Sequence, residues 1–524
     1  MGRTRATPAA PAASPAAAPV GRVTAAAPLQ VLAVASEMFP LLKTGGLADV
    51  VGALPAALAP LGITVRTLLP GHPAVLAALQ GAQPLAEWKA WFGGSARLLG
   101  GHCGALQLIV LDAPHLYARH GNPYLDSTGR DWSDNAERFA ALALAAARIG
   151  WGELEGALAG FVPDLIHAHD WQAALVPAYL HYLGQGKRRP ATILSLHNLA
   201  FQGQFKAEVW SRLGLPAEAF AMQGLEYHGD VGYLKAGIHF SDAITTVSPS
   251  YAHEILTLAG GMGLDAMLRW REASAPGAVS GIVNGIDTEV WNPATDEHLA
   301  QRYDAATLAD RVHNKRAVEQ RFGLPADDSP LLCMVSRLTA QKGIDLVAAS
   351  LDSLVASGTR LVVLGAGDAS LEDQLRKGAA RHPERVALQF GYDEGVSHLM
   401  QGGCDAILVP SRFEPCGLTQ LYGLRYGCVP IVTRVGGLAD TVIDANDAAL
   451  KAGVATGFQF ADISAAGVLD VVRRAVALYR RPAAWQRLQA AGMRADVGWG
   501  TSAAEYAALY RRLVARKVDE KDEP

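Results

Sequence analysis

Three short stretches place charged residues and glycines directly after apolar runs. In "MFPLLKTGGLADVV" (38–51), Lys43 is followed by Gly45 and Gly46. A helical pattern then starts, with Leu47, Val50, Val51 and Leu54 on one face. A glycine pair lets backbone N–H groups approach an anion, and the following helix aims its positive end at the same place. A lysine beside them would complete a diphosphate site. The order differs from a Walker A loop, in which the lysine follows the glycines. In "VSRLTAQKG" (335–343), Arg337 and Lys342 follow a second apolar run. In "VPSRFEPCGLTQLYGLRYG" (409–427), Glu414 precedes a helix expected to begin near Gly417 or Leu418. The N–H groups of Gly417, Leu418 and Thr419 would then be open to phosphate oxygens. Each stretch alone also reads as an ordinary turn, a solvated pair of cations or a carboxylate on a helix dipole. Paired across a cleft, they would surround a diphosphate from both sides and stabilise a leaving group that gains negative charge.

Further polar residues end strands in "HAHDW" (167–171) and "SLHNLAFQG" (195–203). His167 and His169 are expected on opposite faces of their strand, which is poor geometry for one metal ion. His197 and Asn198, at a strand end, are better placed to contact a polar substrate. A hydrogen-bonded structural role stays open for each histidine, His167 above all. Tyr124, Trp171 and Tyr392 lie near strand ends, where they could stack on a sugar or a base; core packing is the default for each. "GAGD" (365–368) is a glycine turn that carries little by itself.

The elements that must hold these residues follow from the apolar runs. "VLAVAS" (31–36), "VRTLLP" (65–70), "LQLIVLD" (106–112), "DLIHAHD" (164–170), "TILSLHN" (192–198) and "DAITTVS" (242–248) form one series of buried strands. "LLCMVSRL" (331–338), "RLVVLGAG" (360–367), "VALQFGY" (386–392), "DAILVPS" (405–411) and "VPIVTRVGG" (429–437) form another. Strands without polar alternation, separated by helices, imply parallel sheets covered on both faces. The fold class is therefore α/β with two doubly wound domains. They are expected over 29–293 and 294–502, after an Ala/Pro-rich disordered extension (1–28). A C-terminal helix at 503–518 is expected to pack back on the first domain. "GGLADVV" (45–51) returns as "GGLADTV" (436–442), a small echo of the same strand, glycine-pair and helix-start device.

Composition narrows the function classes. A net charge of −4 supplies no basic field for nucleic acid. The five cysteines form no CxxC pair, which fits reduced thiols in a cytosol-like compartment. No apolar run approaches the ~20 residues of a membrane helix. The acid-free N-terminal extension shares its composition with transit peptides, so a plastid is a minor alternative to a bacterial cytoplasm.

Taken together and in order, "KTGGLADVVGALP", "HAHDW", "SLHN", "GIVNGID", "SRLTAQKG", "SRFEPCGLTQLYGLRYG" and "GGLADT" resemble the bacterial glycogen synthase and plant starch synthase family. The resemblance runs from residue 29 to about 515. It implies two Rossmann-like domains facing across a deep cleft, the GT-B glycosyltransferase architecture. It also implies retaining transfer of glucose from ADP-glucose to the non-reducing end of an α-1,4-glucan such as glycogen, with no metal or other cofactor. By position, Lys43, Gly45 and Gly46 would hold the donor diphosphate together with Arg337 and Lys342. Glu414 matches the family's essential carboxylate, and His197 would contact the donor sugar. Asp49, Tyr124, Asp170, Trp171, Asn198, Asn284, Cys416, Gly417, Leu418 and Thr419 match positions lining the cleft, and Tyr392 would stack on adenine. Many proteins of this architecture carry a second acid eight residues after the glutamate; here that position is Tyr422. Met262 stands in "GGMGLD" (260–265) where an aromatic is frequent. UDP-glucose as donor, a different acceptor, or a glucan-binding protein without catalysis are the competing readings.

Overall fold

The computed structural model describes residues 28–522. The expectation for the extension therefore lies, Pro28 apart, outside the described residues.

Two sheets organise the chain. The first has nine strands, in spatial order Val279–Gly281, Ala243–Thr246, Ala191–Leu196, Leu165–His169, Leu29–Val34, Ile63–Pro70, Leu106–Asp112, Gly94–Cys103 and Gln80–Trp91. The last two pair antiparallel and the rest parallel. The second sheet has six parallel strands: Val386–Phe390, Arg360–Gly365, Leu331–Val335, Ala406–Val409, Val429–Thr433 and Phe458–Phe460. Leu165–His169, Ala191–Leu196, Leu331–Val335 and Arg360–Gly365 are buried at every residue, as parallel strands covered on both faces must be. The edge hairpin Gln80–Trp91/Gly94–Cys103 faces water over much of its length, so a buried-run criterion passes over it.

Each sheet reverses its order at its first strand. Leu29–Val34 lies between Ile63–Pro70 and Leu165–His169; Leu331–Val335 lies between Arg360–Gly365 and Ala406–Val409. Such reversals leave a crevice beyond the carboxyl ends of the strands, where ligands bind in open α/β sheets. Ser36, Glu37 and Asp170 stand at the first reversal. Arg337 and the 410–414 turn stand at the second. The strand ends singled out by their chemistry are the two switch points.

The C-terminal helix begins at Trp499, four residues before its periodicity starts in the sequence, and runs to Asp522. Its buried Tyr506, Leu509, Tyr510 and Leu513 share a core cluster with Val50, Leu54 and Leu58 of the helix Gly46–Leu58 and with Ile193 of the first sheet. The preceding helix Pro482–Met493 sends Trp485 and Leu488 into the core of the second sheet. Between these helices the chain passes back to the first unit, where the Ile286 N–H donates to the Val497 carbonyl at 2.8 Å. Side chains of the first unit bond directly to the second, among them Ser248, Ser250 and Glu254. Ser248 Oγ donates to the Pro415 carbonyl at 2.7 Å, Ser250 Oγ to Asp440 at 2.6 Å, and Glu254 accepts the Gly436 N–H at 2.7 Å.

Candidate active site

On the first sheet, Lys43 leads into the helix Gly46–Leu58, whose N-terminal cap is Gly45. The Lys43 ammonium pairs with Asp49 at 2.8 Å, one turn along that helix. Burial and the nearby Glu394 push the Asp49 carboxyl up, and Lys43 opposes them. Among the described residues and beyond the local chain, a Cβ on Gly45 would meet nothing within 4 Å; one on Gly46 would meet only Leu418 Cδ1, at 3.6 Å. No crowding within the protein demands glycine there, so the pair leaves backbone open to a ligand.

The loop is held from below by Glu37, which the sequence reading missed. Its carboxylate accepts both the backbone N–H and the hydroxyl of Thr44, the latter at 3.0 Å. Burial pushes the Glu37 carboxyl up to about 7. Its one signal in the sequence was its place directly after a buried strand. Tyr124 is half-buried beside it, its hydroxyl 2.7 Å from Ser36 Oγ.

Asp170 and His197 come together. Asp170 holds a left-handed backbone (φ 55°), a conformation that costs a non-glycine residue about 1 kcal/mol or more. Its carboxylate accepts the His197 backbone N–H at 2.6 Å and that of Asn198. Burial nevertheless raises the Asp170 carboxyl to about 7 and lowers the His197 imidazole to about 4, so His197 is neutral at neutral pH. Asn198 turns its side-chain oxygen to the Ala200 N–H at 3.0 Å. The expectation of opposite faces for His167 and His169 is wrong: residues two apart in a strand share a face, and the two rings lie 4.0 Å apart. Trp171 is buried edge-on against Phe139 at 4.8 Å and packs near Phe205 and Tyr233. It supports the cleft wall from within the core and offers no open stacking face.

On the second sheet, Lys342 ends a single turn, Ala340–Lys342, and its ammonium donates to Glu414. The Ser411 hydroxyl donates to the same carboxylate oxygen at 3.0 Å. Further bonds fix the two turns together: Arg412 N–H to the Gln341 carbonyl at 2.8 Å, Arg412 Nη1 to the Ala340 carbonyl at 2.6 Å, and Gln341 Nε2 to the Phe413 carbonyl at 3.3 Å. Glu414 is 6% exposed. Arg337 is exposed, and its guanidinium has no protein partner among the described residues. The helix Thr419–Tyr426 starts where the sequence places it. Among the described residues, no acceptor takes the N–H groups of Gly417, Leu418 or Thr419.

The second glycine pair is used differently from the first. Gly436 has φ 42°, and a Cβ there would stand 2.0 Å from the Glu414 carbonyl oxygen. One on Gly437 would stand 2.4 Å from the Cys416 carbonyl. This copy lets backbone pack on the turn that carries Glu414. The Cys416 thiol is buried beside Asn284 and pushed up to about 12, so it is not a thiolate. The Asn284 side-chain oxygen has no hydrogen-bond partner among the described residues.

Tyr392 is 63% exposed at the rim, and its hydroxyl donates to Glu394. Tyr422 stacks on Trp291 at 3.6 Å, and Trp291 on His398 at 3.8 Å. An aromatic stack therefore occupies the position of the second acid. Met262 takes a left-handed backbone (φ 48°), with its carbonyl held by Gln202 Nε2 at 2.9 Å. Among the described residues no group of three or more His, Cys, Asp or Glu is placed to hold a metal ion.

The site thus joins two walls: a cationic, glycine-lined loop facing an open helix start, with a lysine-paired carboxylate and a neutral histidine beside them. Residues 30–270 match the family described as the starch synthase catalytic domain, and residues 316–476 match glycosyl transferases group 1. The chain is 58% identical to a glycogen synthase of Acidiphilium cryptum, covering 93% of this chain and all of the relative. It is 54% identical to one of Mesorhizobium japonicum, covering 94% of this chain and all of that protein. Among solved structures, the catalytic domain of starch synthase IV from Arabidopsis thaliana, bound to ADP and acarbose, superposes with a TM-score of 0.83. It shares 31% identity and covers 93% of this chain and all of its own. A sucrose-phosphate synthase from Thermosynechococcus elongatus shares the fold, with a TM-score of 0.56 and 16% identity. The chain belongs to the glycogen synthase and starch synthase family, and it is a two-domain glycosyltransferase of GT-B architecture.

Proposed function

We propose that the protein elongates glycogen, transferring glucose from ADP-glucose to the non-reducing 4-hydroxyl of an α-1,4-glucan with retention at the anomeric carbon. One observation carries this reading: Gly46 of the Lys43 loop faces Leu418 at the open helix start, while the Lys342–Glu414 pair borders the same helix turn.

In the reaction the bond from C1 to the β-phosphate oxygen breaks, and its electron pair leaves with ADP. The acceptor oxygen bonds to C1 and gives up its proton. Negative charge grows on the diphosphate, and Lys43, Arg337, Lys342 and the free N–H groups of 417–419 are the protein groups available to receive it. These cations and dipoles take the part a metal ion plays elsewhere, so we infer that no metal or other cofactor is needed. Positive charge grows on the sugar. Glu414 Oε2 is engaged by Lys342 and Ser411, which leaves Oε1 for the anomeric centre. Retention follows either from attack by Glu414 or from same-face attack guided by the departing diphosphate. A lone carboxylate differs from the paired acids of glycosidases. His197 and Asn198 would contact the sugar hydroxyls, and Tyr392 would lie on adenine.

The two glycogen synthases reported above are bacterial, which supports a bacterial cytoplasm. No helix among the described residues is long and apolar enough to cross a membrane. The test is incubation with glycogen and either ADP-glucose or UDP-glucose, following nucleotide release and chain extension. Extension favouring ADP-glucose is expected. A clear preference for UDP-glucose would overturn the donor assignment, and hydrolysis without extension would overturn the acceptor.

A further inference from the structure

A buried polar array lies behind His197 that the transfer step does not use directly. His167 is saturated by the core: its Nδ1 lies 2.8 Å from the Tyr510 hydroxyl of the C-terminal helix, and its Nε2 lies 2.6 Å from Ser195 Oγ. Ser195 Oγ in turn lies 2.6 Å from Thr245 Oγ1. His169 is 1% exposed, with its ring against that of His167. Its Nδ1 stands 3.0 Å from His197 Nε2. Strand register sets this meeting. His169 pairs with Ser195, so His197 is the next residue on the same face of the neighbouring strand. Asp170 fixes the His197 backbone, and His169 is the group that fixes its ring.

Burial holds all three imidazoles below their usual range, so they are neutral. Two neutral rings joined by one hydrogen bond share one bridging proton. Which ring owns it decides whether the other nitrogen of His197 donates or accepts.

We propose that His169 is a positioning residue, locking the orientation of the His197 ring and the nitrogen on which its proton sits. The free nitrogen of His197 then meets the donor sugar with one fixed hydrogen-bonding character. The proposal rests on the reading that His197 contacts that sugar. Tyr510 extends the array by pinning His167, so the C-terminal helix is tied to the ring at the site by two intervening histidines.

The test uses the full chain. In ¹⁵N-histidine NMR of the wild type, His197 is expected as a single neutral tautomer from about pH 5.5 to 8. Two exchanging tautomers, or titration near the usual imidazole value, overturn the proposal. This readout stands even if the wild type transfers nothing, in which case the proposed function fails instead. His169→Phe is expected to lower kcat by about tenfold or more, with KM for ADP-glucose changed less than about threefold. His169→Asn, which keeps a polar atom near the Nδ1 position, is expected to recover most of that loss. Wild-type kcat in His169→Phe, or equal losses in two stably folded variants, overturns the proposal. If neither variant folds, the wild-type spectrum decides.

Discussion

Gly46 and Leu418 meet across the cleft: a Cβ on Gly46 would stand 3.6 Å from Leu418 Cδ1. One residue opens the helix behind Lys43, and the other caps the helix beyond Glu414. The two switch points are therefore closed on each other, and a donor diphosphate between them would touch both walls. Closure is latched at a distance by Ser250 with Asp440 and by Glu254 with the Gly436 N–H. Asp440→Ala removes one latch and is expected to populate a more open form. Small-angle scattering should show a larger radius of gyration than the wild type without ligands, and recovery with ADP and a glucan. Identical profiles throughout would show that Asp440 does not hold the closed form.

Glu414→Gln keeps the shape of the side chain and removes its charge. Transfer is expected to fall by about 10² or more, the order found when one preorganised electrostatic group is lost. Glycogen binding should persist, which separates a catalytic role from a binding role. Both are read from one preparation by ADP release and by glycogen co-sedimentation.

Gly436→Ala tests the backbone beneath Glu414. The new Cβ would meet the Glu414 carbonyl oxygen at 2.0 Å from a left-handed backbone, so something must shift. A loss of about 2 kcal/mol in unfolding free energy is expected, together with reduced transfer. Gly45→Ala, with open space around its Cβ, should leave stability within about 0.5 kcal/mol and act on donor binding alone.

Glu37 gives a pH signature. Its carboxyl is raised in the folded protein from 4.5 to about 7, so the folded state favours the protonated form. The associated stability is complete below pH ~4.5 and is lost as pH rises towards ~7. Glu37→Gln cannot ionise and keeps an oxygen for Thr44. Its stability relative to wild type is therefore expected to rise across that window and then level off, as read by urea unfolding at several pH values. A constant difference would show that Glu37 does not titrate there.

Much of the site was legible because chemistry and position coincide in it. Lys43, Arg337, Lys342 and Glu414 all follow buried strands, and parallel sheets put such ends on one edge. The helix start at Leu418 followed from glycine and spacing. What stayed hidden depends on long-range packing. Nothing near Glu37 announces that its carboxylate holds Thr44. Asp170 gains its role from a partner 27 positions away, through a bond to the His197 N–H. The stack of Tyr422 on Trp291 joins segments far apart in the chain. The pairing of His169 with His197 depends on the register between two neighbouring strands, His169 opposite Ser195, which local sequence does not carry. The edge hairpin Gln80–Trp91/Gly94–Cys103 lacks the apolar run that marks the inner strands.

The C-terminal helix shows the same limit from the other side. Its periodicity was readable, and its burial against the helix behind Lys43 makes it part of the first unit's core. Tyr506 is fully buried there, and Tyr506→Ala is expected to cost about 3 kcal/mol or more by cavity formation. Thermal unfolding measures this; a melting temperature equal to wild type would place the helix outside the core.

The two-sided grip on the diphosphate is tested most directly by the rate of glucosyl transfer in Lys43→Ala at low and saturating ADP-glucose. Lys43 belongs to the wall opposite Arg337, Lys342 and Glu414. If both walls stabilise the leaving group, kcat/KM should fall by about 10² or more with the fold intact. A rate within about twofold of wild type would contradict it, because the second wall alone would then carry the charge.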